Sequence, residues 1–189
     1  MATNNAVNVG LAGSTGTGNF VGANTPTLIT PVIGAATGTS LAFSPTTGGI
    51  IGTTTNDNAA AGKVGEFVSS VIADASAVSI SSATNTNLTT ISLTAGDWDV
   101  WGNVNFGTVT VGSSFMAAWI SSTSAALPDN SLFSGLNSAT GTIGSQSGIT
   151  APLVRFSLAG TTTIYISARI NLTGGTANMC GGIYARRRR

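Results

Sequence analysis

The sequence predicts an all-β protein: an antiparallel, jelly-roll-like β-sandwich head with an extended N-terminal arm. Residues 97–106 alternate apolar and polar side chains with a period of two, which is the pattern of a half-buried strand. About eight short segments rich in β-branched residues are separated by Gly, Ser, Asn and Pro, and a jelly roll is a common arrangement of such a set. The first 56 residues, by contrast, contain no Asp, Glu, Lys or Arg.

The chargeless segment is predicted to be an arm rather than a domain. Gly, Thr, Asn, Ala and Ser dominate it, so it has too few large apolar groups to offset the entropy of its own ordering. It is expected either to be ordered against another molecule or to remain a flexible linker. The predicted division is an arm over 1–58, a β-sandwich head domain over 59–185 and a basic C-terminal tail over 186–189.

Strands are expected in the head domain, in chain order, at 64–72, 78–80, 88–93, 98–106, 115–120, 154–158, 164–170 and 179–184. Gly107 is expected to end the fourth strand or to form a bulge, because the parity of the apolar positions changes after it. Loops are expected at 121–131 and 135–150 from their Gly, Ser, Asn and Pro content. Two antiparallel hairpins are also expected, with turns at 94–97 and 159–160. The sequences at the two turns are similar, SLTAG at 92–96 and SLAG at 157–160.

Charge and hydropathy indicate that the chain associates with itself. Only 7% of the residues are charged and the mean hydropathy is +0.33, yet no apolar run reaches the roughly 18 to 20 residues of a membrane helix. The apolar surplus is therefore expected between subunits of a homo-oligomer, without membrane insertion. Residues 1–10 show no basic and apolar leader, so we expect synthesis in a cytoplasm.

The residue types argue against an enzyme and against cofactors. The chain has no histidine and one cysteine, Cys180, which removes the usual general base and cysteine-based zinc sites. Asp97 and Asp99 share a strand face at a spacing compatible with a glycosidase pair or a weak calcium site, but a solvated strand start is the simpler interpretation. The glycines at 13–22 and at Gly62 do not complete a nucleotide-binding loop. We expect no metal, no cofactor and no specific nucleic-acid binding.

Three segments resemble parts of known fibre proteins. Residues 13–34, which read GSTGTGNFVG followed by PTLITPVIG, resemble the linker and stalk of tail-fibre proteins of tailed bacteriophages. Residues 93–104 are similar to the head domains attached to such stalks, and residues 183–189, IYARRRR, are similar to their short basic ends.

The resemblance implies a virion protein made in a bacterial host. Members of that family are homotrimers with an N-terminal part docked on the virion and a distal β-rich head that contacts the host surface. The short separation between residue 34 and the head indicates a short tail fibre or appendage; the alternative is a trimeric capsid decoration, a head fibre or cement protein without a receptor role. The implied docking residues are Gly16, Gly18, Asn19, Phe20, Val21, Gly22, Pro26, Leu28, Ile29 and Pro31.

Two groups of residues in the body are candidates for contacts. Aromatic faces and amide edges contact sugar rings, so a host glycan or protein is one expected partner of four residues: Trp101, Asn103, Asn105 and Tyr165. The aromatic residues are equally suited to a trimer interface. Residues 57–185 carry six acids against three basic residues, and the four arginines at 186–189 raise the net charge to +1. These arginines are expected to bind phosphate or lipopolysaccharide, to pair with acids on a neighbouring subunit or to be solvated.

Overall fold

The computed structural model describes residues 55–107, 109–129, 132–143 and 147–189, so the predicted docking residues between Gly16 and Pro31 lie outside the described part. Nine strands are assigned in these residues, and no helix among them is long and apolar enough to cross a membrane. In chain order the strands are β1 (Phe67–Ile72), β2 (Val78–Ser81), β3 (Thr86–Leu93), β4 (Gly96–Phe106), β5 (Val109–Ser121), β6 (Phe133–Ile143), β7 (Ser147–Leu158), β8 (Thr162–Leu172) and β9 (Thr176–Arg187).

The strands form two antiparallel sheets. Sheet A has the order β1–β9–β4–β7, with β2 also paired to β9, and sheet B has the order β3–β8–β5–β6. One face of each sheet is apolar because inward and outward side chains alternate along the strands. The two apolar faces enclose a single core, and its largest fully buried side chains include Trp98, Phe106, Ile164, Ile166, Ile170 and Met179. The predicted all-β antiparallel sandwich is confirmed.

The strand pairing is that of a jelly roll. β1 and β2 lie one after the other along the same side of β9, separated by a 3-10 turn at Asp74–Ser76, so together they act as one interrupted strand. With these two counted once, the first strand pairs with the eighth, the second with the seventh, the third with the sixth and the fourth with the fifth. The chain is thus a long antiparallel ribbon folded into two sheets, which the pairings β4–β9 and β5–β8 complete.

The two turns predicted to form hairpins are corners at which the chain changes sheet. β3 ends at Leu93 in sheet B and β4 begins at Gly96 in sheet A, while β7 ends at Leu158 in sheet A and β8 begins at Thr162 in sheet B. Both hairpin predictions are wrong, because consecutive strands show the same apolar alternation whether they pair or face each other across a core. The corners are neighbours: Gly96 pairs with Leu158, and Leu93 pairs with Thr162.

The loop predicted over 135–150 is also largely strand. β6 occupies Phe133–Ile143 and β7 begins at Ser147. β6 is an edge strand of sheet B, and its described side chains from Gly135 to Asn137 are exposed. An edge strand that extends beyond the core needs no apolar alternation, so the sequence signal for this strand is absent. The loop predicted after β5 is confirmed in its described part, and Asn87 holds it by accepting a hydrogen bond from the Ala125 N–H at 2.8 Å.

Substitution of Gly102 by Ala tests the packing between the sheets. Gly102 is an inward position of β4, and an added Cβ would lie 2.5 Å from the Gly182 carbonyl oxygen and 2.6 Å from Ile166 Cδ1 of the opposite sheet. We expect Gly102→Ala to lower the free energy of unfolding by about 1 to 3 kcal/mol, the usual cost of overpacking. Urea unfolding followed by circular dichroism measures it.

Gly160→Ala is the matched control, because no described atom lies within 4 Å of the Cβ it would add. Its free energy of unfolding should stay within about 0.5 kcal/mol of the parent protein. Equal unfolding curves for the two variants would contradict the tight approach of the sheets at Gly102.

Candidate interaction surface

The outer face of sheet A carries three of the four residues that the sequence singles out for contacts in the body. On β4 the side chains of Trp98, Val100, Val104 and Phe106 are buried in the core, so the alternate positions face outward. Trp101, Asn103 and Asn105 lie on this outer face and are half-buried. The period of two therefore predicts correctly that these three residues share one side of the sheet.

Three aromatic rings meet on this face across three neighbouring strands. We call Phe67 of β1, Trp101 of β4 and Tyr184 of β9 the aromatic cluster. Trp101 and Tyr184 are register partners with ring centroids 6.0 Å apart and planes 24° apart, while Phe67 lies 6.1 Å from Trp101 and 6.3 Å from Tyr184. Aromatic pairs at such separations contribute about 0.5 to 1.5 kcal/mol each beyond their buried area. The cluster therefore stiffens the outside of the sheet and also creates an apolar patch there.

A glycine allows Tyr184 to lie along the sheet. Gly182 occupies the outward position next to Tyr184 on β9, and a Cβ at Gly182 would lie 2.9 Å from the Tyr184 hydroxyl oxygen. Any side chain at Gly182 would displace the tyrosine ring. This glycine therefore helps to shape the aromatic cluster.

Exposed aliphatic side chains extend the patch on both sides. Val71 of β1 pairs with Gly182 and is 58% exposed. On β7 the register shifts opposite Trp101, because Pro152 and Leu153 together occupy the space of one residue, and Leu153 is 64% exposed. The outer face of sheet A thus carries apolar side chains on all four of its main strands.

The amides occupy the polar side of the same face. Asn105 pairs with Cys180 of β9, and its amide oxygen lies 2.5 Å from the position that a Cβ at Gly148 would take. Burial raises the pKa of the Cys180 thiol, and the charge of Asp74 raises it further. The neighbouring strands β7 and β9 thus hold the Asn105 side chain in place.

No metal site is found in this part of the chain. Among the described residues, no group of three or more His, Cys, Asp or Glu is suited to hold a metal ion.

Tyr165 does not belong to this surface. It is an outward residue of β8 in sheet B, where it pairs with Thr90 and Ser121. The four residues proposed from the sequence for receptor or subunit contact therefore divide between opposite faces of the sandwich. The sequence pattern does not single out Phe67 and Tyr184, because their proximity to Trp101 results from pairing between strands far apart in the sequence.

The arginines at the end of β9 pair within the chain. β9 continues through Arg187, so 186–189 is not a separate tail, and the N–H of Arg188 donates to the Asp97 carbonyl at 2.8 Å. Arg187 is buried; its side chain lies 2.8 Å from Glu66 and 4.2 Å above the Trp98 ring. It also donates to the Ala95 carbonyl at 2.8 Å. Arg187 thus closes one end of the sandwich.

The outer side of the same end carries a second group of charges, which we call the arginine corner: Asp97, Asp99, Arg155, Arg188 and Arg189. Arg155 donates two hydrogen bonds to the buried Asp97 carboxylate, at 2.7 and 2.6 Å. Arg189 lies 3.0 Å from Asp97, and Arg188 lies 3.3 Å from Asp99. The expectation of a solvated strand start at Asp97 is therefore wrong, because arginines from two other parts of the chain cover this carboxylate.

These contacts stabilise the ionised forms of the acids. Hydrogen bonds from Arg155 hold the pKa of Asp97 below its ordinary value of 3.8, and those from Arg187 hold the pKa of Glu66 below 4.5. A carboxyl group whose pKa is lower in the folded state stabilises the fold above its unfolded-state pKa. This contribution is fully present at neutral pH, and it decreases as the pH falls below about 4.5 through the lowered values.

Comparisons with known proteins show a likeness of fold alone. No protein-family model matches the chain, and no curated protein matches it. Solved structures that resemble it include the VP2 subviral particle of infectious bursal disease virus, at 13% identity and a TM-score of 0.44 over 65% of this chain. Others are T=1 particles derived from that virus, at 12% identity and a TM-score of 0.45 over 65% of this chain, and its Gt strain, at 14% and 0.43 over 79%. The chain spans only 32%, 31% and 42% of those proteins, respectively.

Removal of the Arg187 side chain should open the end of the sandwich. Arg187→Ala leaves the Glu66 carboxylate without its arginine partner and uncovers Trp98, and breaking a buried ion pair costs on the order of 3 kcal/mol. We expect a loss of about this size in the free energy of unfolding, measured by urea denaturation at pH 7.

Arg188→Ala is the comparison, because its ion pair with Asp99 is on the surface and its side chain is 56% exposed. A loss below about 1 kcal/mol is expected there. If the two variants were equally stable, the closing role assigned to Arg187 would be incorrect.

Proposed function

We propose that this chain is a structural protein of a virion, which assembles with copies of itself and with other virion proteins. In finer terms it is a short trimeric tail fibre or appendage of a tailed bacteriophage. Its residues 1–58 dock on the particle, and its jelly-roll body is displayed. The observation that carries the proposal is the apolar outer face of sheet A, where a sandwich that already has a complete core presents a second apolar surface.

The second apolar surface supports a role in assembly. Monomeric proteins seldom expose large contiguous apolar patches, and such patches commonly mark contacts with other proteins. The aromatic cluster lies between the exposed side chains of Val71 and Leu153, so this face offers both an aromatic centre and aliphatic flanks. Closed homo-oligomers repeat the same contact in every subunit, and a trimer is the form implied by the sequence resemblance.

The arm supports docking on the particle. Residues 13–34 carry the resemblance to fibre stalks, and the chargeless composition of 1–56 suits a dry protein contact. Extended segments of this kind bind by adding to sheet edges or by lying in grooves. Location on the tail and decoration of the capsid, as a head fibre or cement protein, use the arm in the same way, and labelled particles viewed by electron microscopy distinguish them.

Binding to the host surface is the second candidate function. The observation that favours it is the common face of Trp101, Asn103 and Asn105, because aromatic rings and amides together suit a sugar ring. A host glycan or protein would then occupy the same surface that the assembly proposal assigns to a neighbouring subunit. The oligomeric state decides between these two uses of the outer face of sheet A.

The purified full-length chain should be a trimer with three times the chain mass of 18.7 kDa. Leu153→Asp should shift it toward monomers, because it places a charge in a contact that we expect to be dry. Light scattering at micromolar concentration measures both masses. Leu127→Asp, at a 44% exposed position in the loop after β5, should leave the trimer intact.

A stable monomer of the parent chain would contradict the trimer. Trimers of unchanged stability for both aspartate variants would place the subunit contact elsewhere and leave the outer face of sheet A to another partner.

Removal of residues 1–58 should separate folding from docking. The described core residues lie between Val68 and Ala185, so the shortened chain should retain a β-type circular dichroism spectrum. It should, however, be missing from purified particles, because the docking residues are gone. Mass spectrometry of the particles measures its incorporation.

Aspartate substitutions test the docking role of the arm without deleting it. Phe20→Asp with Val21→Asp should also prevent incorporation, whereas Ser122→Asp with Thr123→Asp adds the same charge at exposed positions of the loop after β5, outside the arm, and should not. Normal incorporation without 1–58 would show that another part of the chain docks on the particle.

A further inference from the structure

The arginine corner concentrates more positive charge than its own acids neutralise. Arg155 and the four residues Arg186–Arg189 lie at one end of sheet A, and Glu66, Asp97 and Asp99 are the acids paired with them. Arg187 and Glu66 neutralise each other in the interior. The outer side is therefore left with the three arginines of the arginine corner, and Arg186 next to them on β9, against the side-chain carboxylates of Asp97 and Asp99.

The outer arginines surround an open cleft. Its lining is formed by Asp97, Arg155, Arg188 and Arg189. Asp97 is buried behind it, and both of its carboxylate oxygens already accept arginine N–H groups. Asp97 therefore holds two guanidinium groups in place and has little capacity left to attract a cation into the cleft.

The arginines retain donors for a ligand. A guanidinium group has five N–H donors. Arg188 and Arg189 each approach their carboxylate through Nε, which leaves their four Nη hydrogens, while Arg155 uses Nε and Nη2 on Asp97. Three exposed guanidinium groups, anchored through one edge, thus present N–H groups around one small space.

We propose that this cleft binds a phosphate group. Phosphate carries a charge of about −1.5 to −2 and three strong acceptor oxygens, which matches three guanidinium groups better than the two oxygens of a carboxylate. Arginine forms planar, two-pronged hydrogen bonds with phosphate. The anchoring by Asp97 and Asp99 lowers the ordering cost of binding, because these side chains are already positioned.

The shape of the charged region favours a single phosphate over a nucleic-acid backbone. Binding to a nucleic acid uses a basic stripe that follows successive phosphates. Here the arginines are confined to one end of sheet A, and Arg169 lies on β8 of sheet B. The ligand is therefore free phosphate or a phosphate monoester, such as a phosphorylated sugar.

Calorimetric titration of the full-length chain with inorganic phosphate at constant ionic strength and pH 7.5 tests the proposal. We expect saturable binding, and no saturable binding of acetate. Arg188→Gln with Arg189→Gln should weaken phosphate binding about tenfold or more, since charge-assisted hydrogen bonds are lost. Both side chains are more than half exposed, at 56% and 75%, so the double variant should remain folded, which circular dichroism checks.

Arg169→Gln is the matched control, because it removes one arginine from the other sheet, and its phosphate affinity should equal that of the parent chain.

Glucose 6-phosphate and glucose distinguish the source of the phosphate. Equal affinity for phosphate and glucose 6-phosphate supports recognition of the phosphate alone, whereas tighter binding of glucose 6-phosphate supports a sugar monoester. Failure to saturate, equal binding by the double variant, or tighter and strongly salt-dependent binding of a short oligonucleotide would overturn the proposal.

Discussion

The pairing of β9 with β4 in the middle of sheet A is the constraint on which the remaining structure depends. It joins Trp98 to Arg187 at one end and Phe106 to Met179 at the other. A slip of one residue would turn every side chain of β9 to the opposite face. It would remove Arg187 from Trp98, separate Tyr184 from Trp101 and expose Met179. One register therefore determines the core, the aromatic cluster and the arginine corner together.

Local pattern predicts much of this structure, and its limits have a physical cause. The alternation around Trp101 correctly separates the inner and outer faces of β4, and Gly107 correctly marks its end. The same alternation does not indicate which strand lies alongside, so it predicts hairpins at two corners where the chain in fact changes sheet. The edge strand β6 lacks apolar alternation, so the sequence predicts a loop over 135–150 in its place. The sequence suggests a common surface for Tyr165 and Trp101 because nothing in the local pattern assigns a strand to one sheet or the other.

The charges illustrate the same limit. In the sequence, the acids of the body and the arginines at 186–189 are separate groups whose partners are undetermined, and the structure joins them across strands β4, β7 and β9. Arg187 shows why the residue type matters at the inner position. It forms an ion pair, two further hydrogen bonds and a cation–π contact at once. The planar guanidinium group of arginine permits this combination, whereas the single ammonium group of lysine does not.

The central place of β9 also affects how the protein is made. β9 is translated after the other eight strands, yet it lies between β1 and β4. During translation one edge of β4 therefore remains unpaired. β1 also remains unpaired, because its partner is β9, in which Arg186 pairs with Phe67. Unpaired edges invite association with other chains. A nascent or truncated polypeptide that lacks this last strand cannot complete sheet A, so only a chain translated through Arg187 has the whole outer face of that sheet, with its aromatic cluster and its arginines.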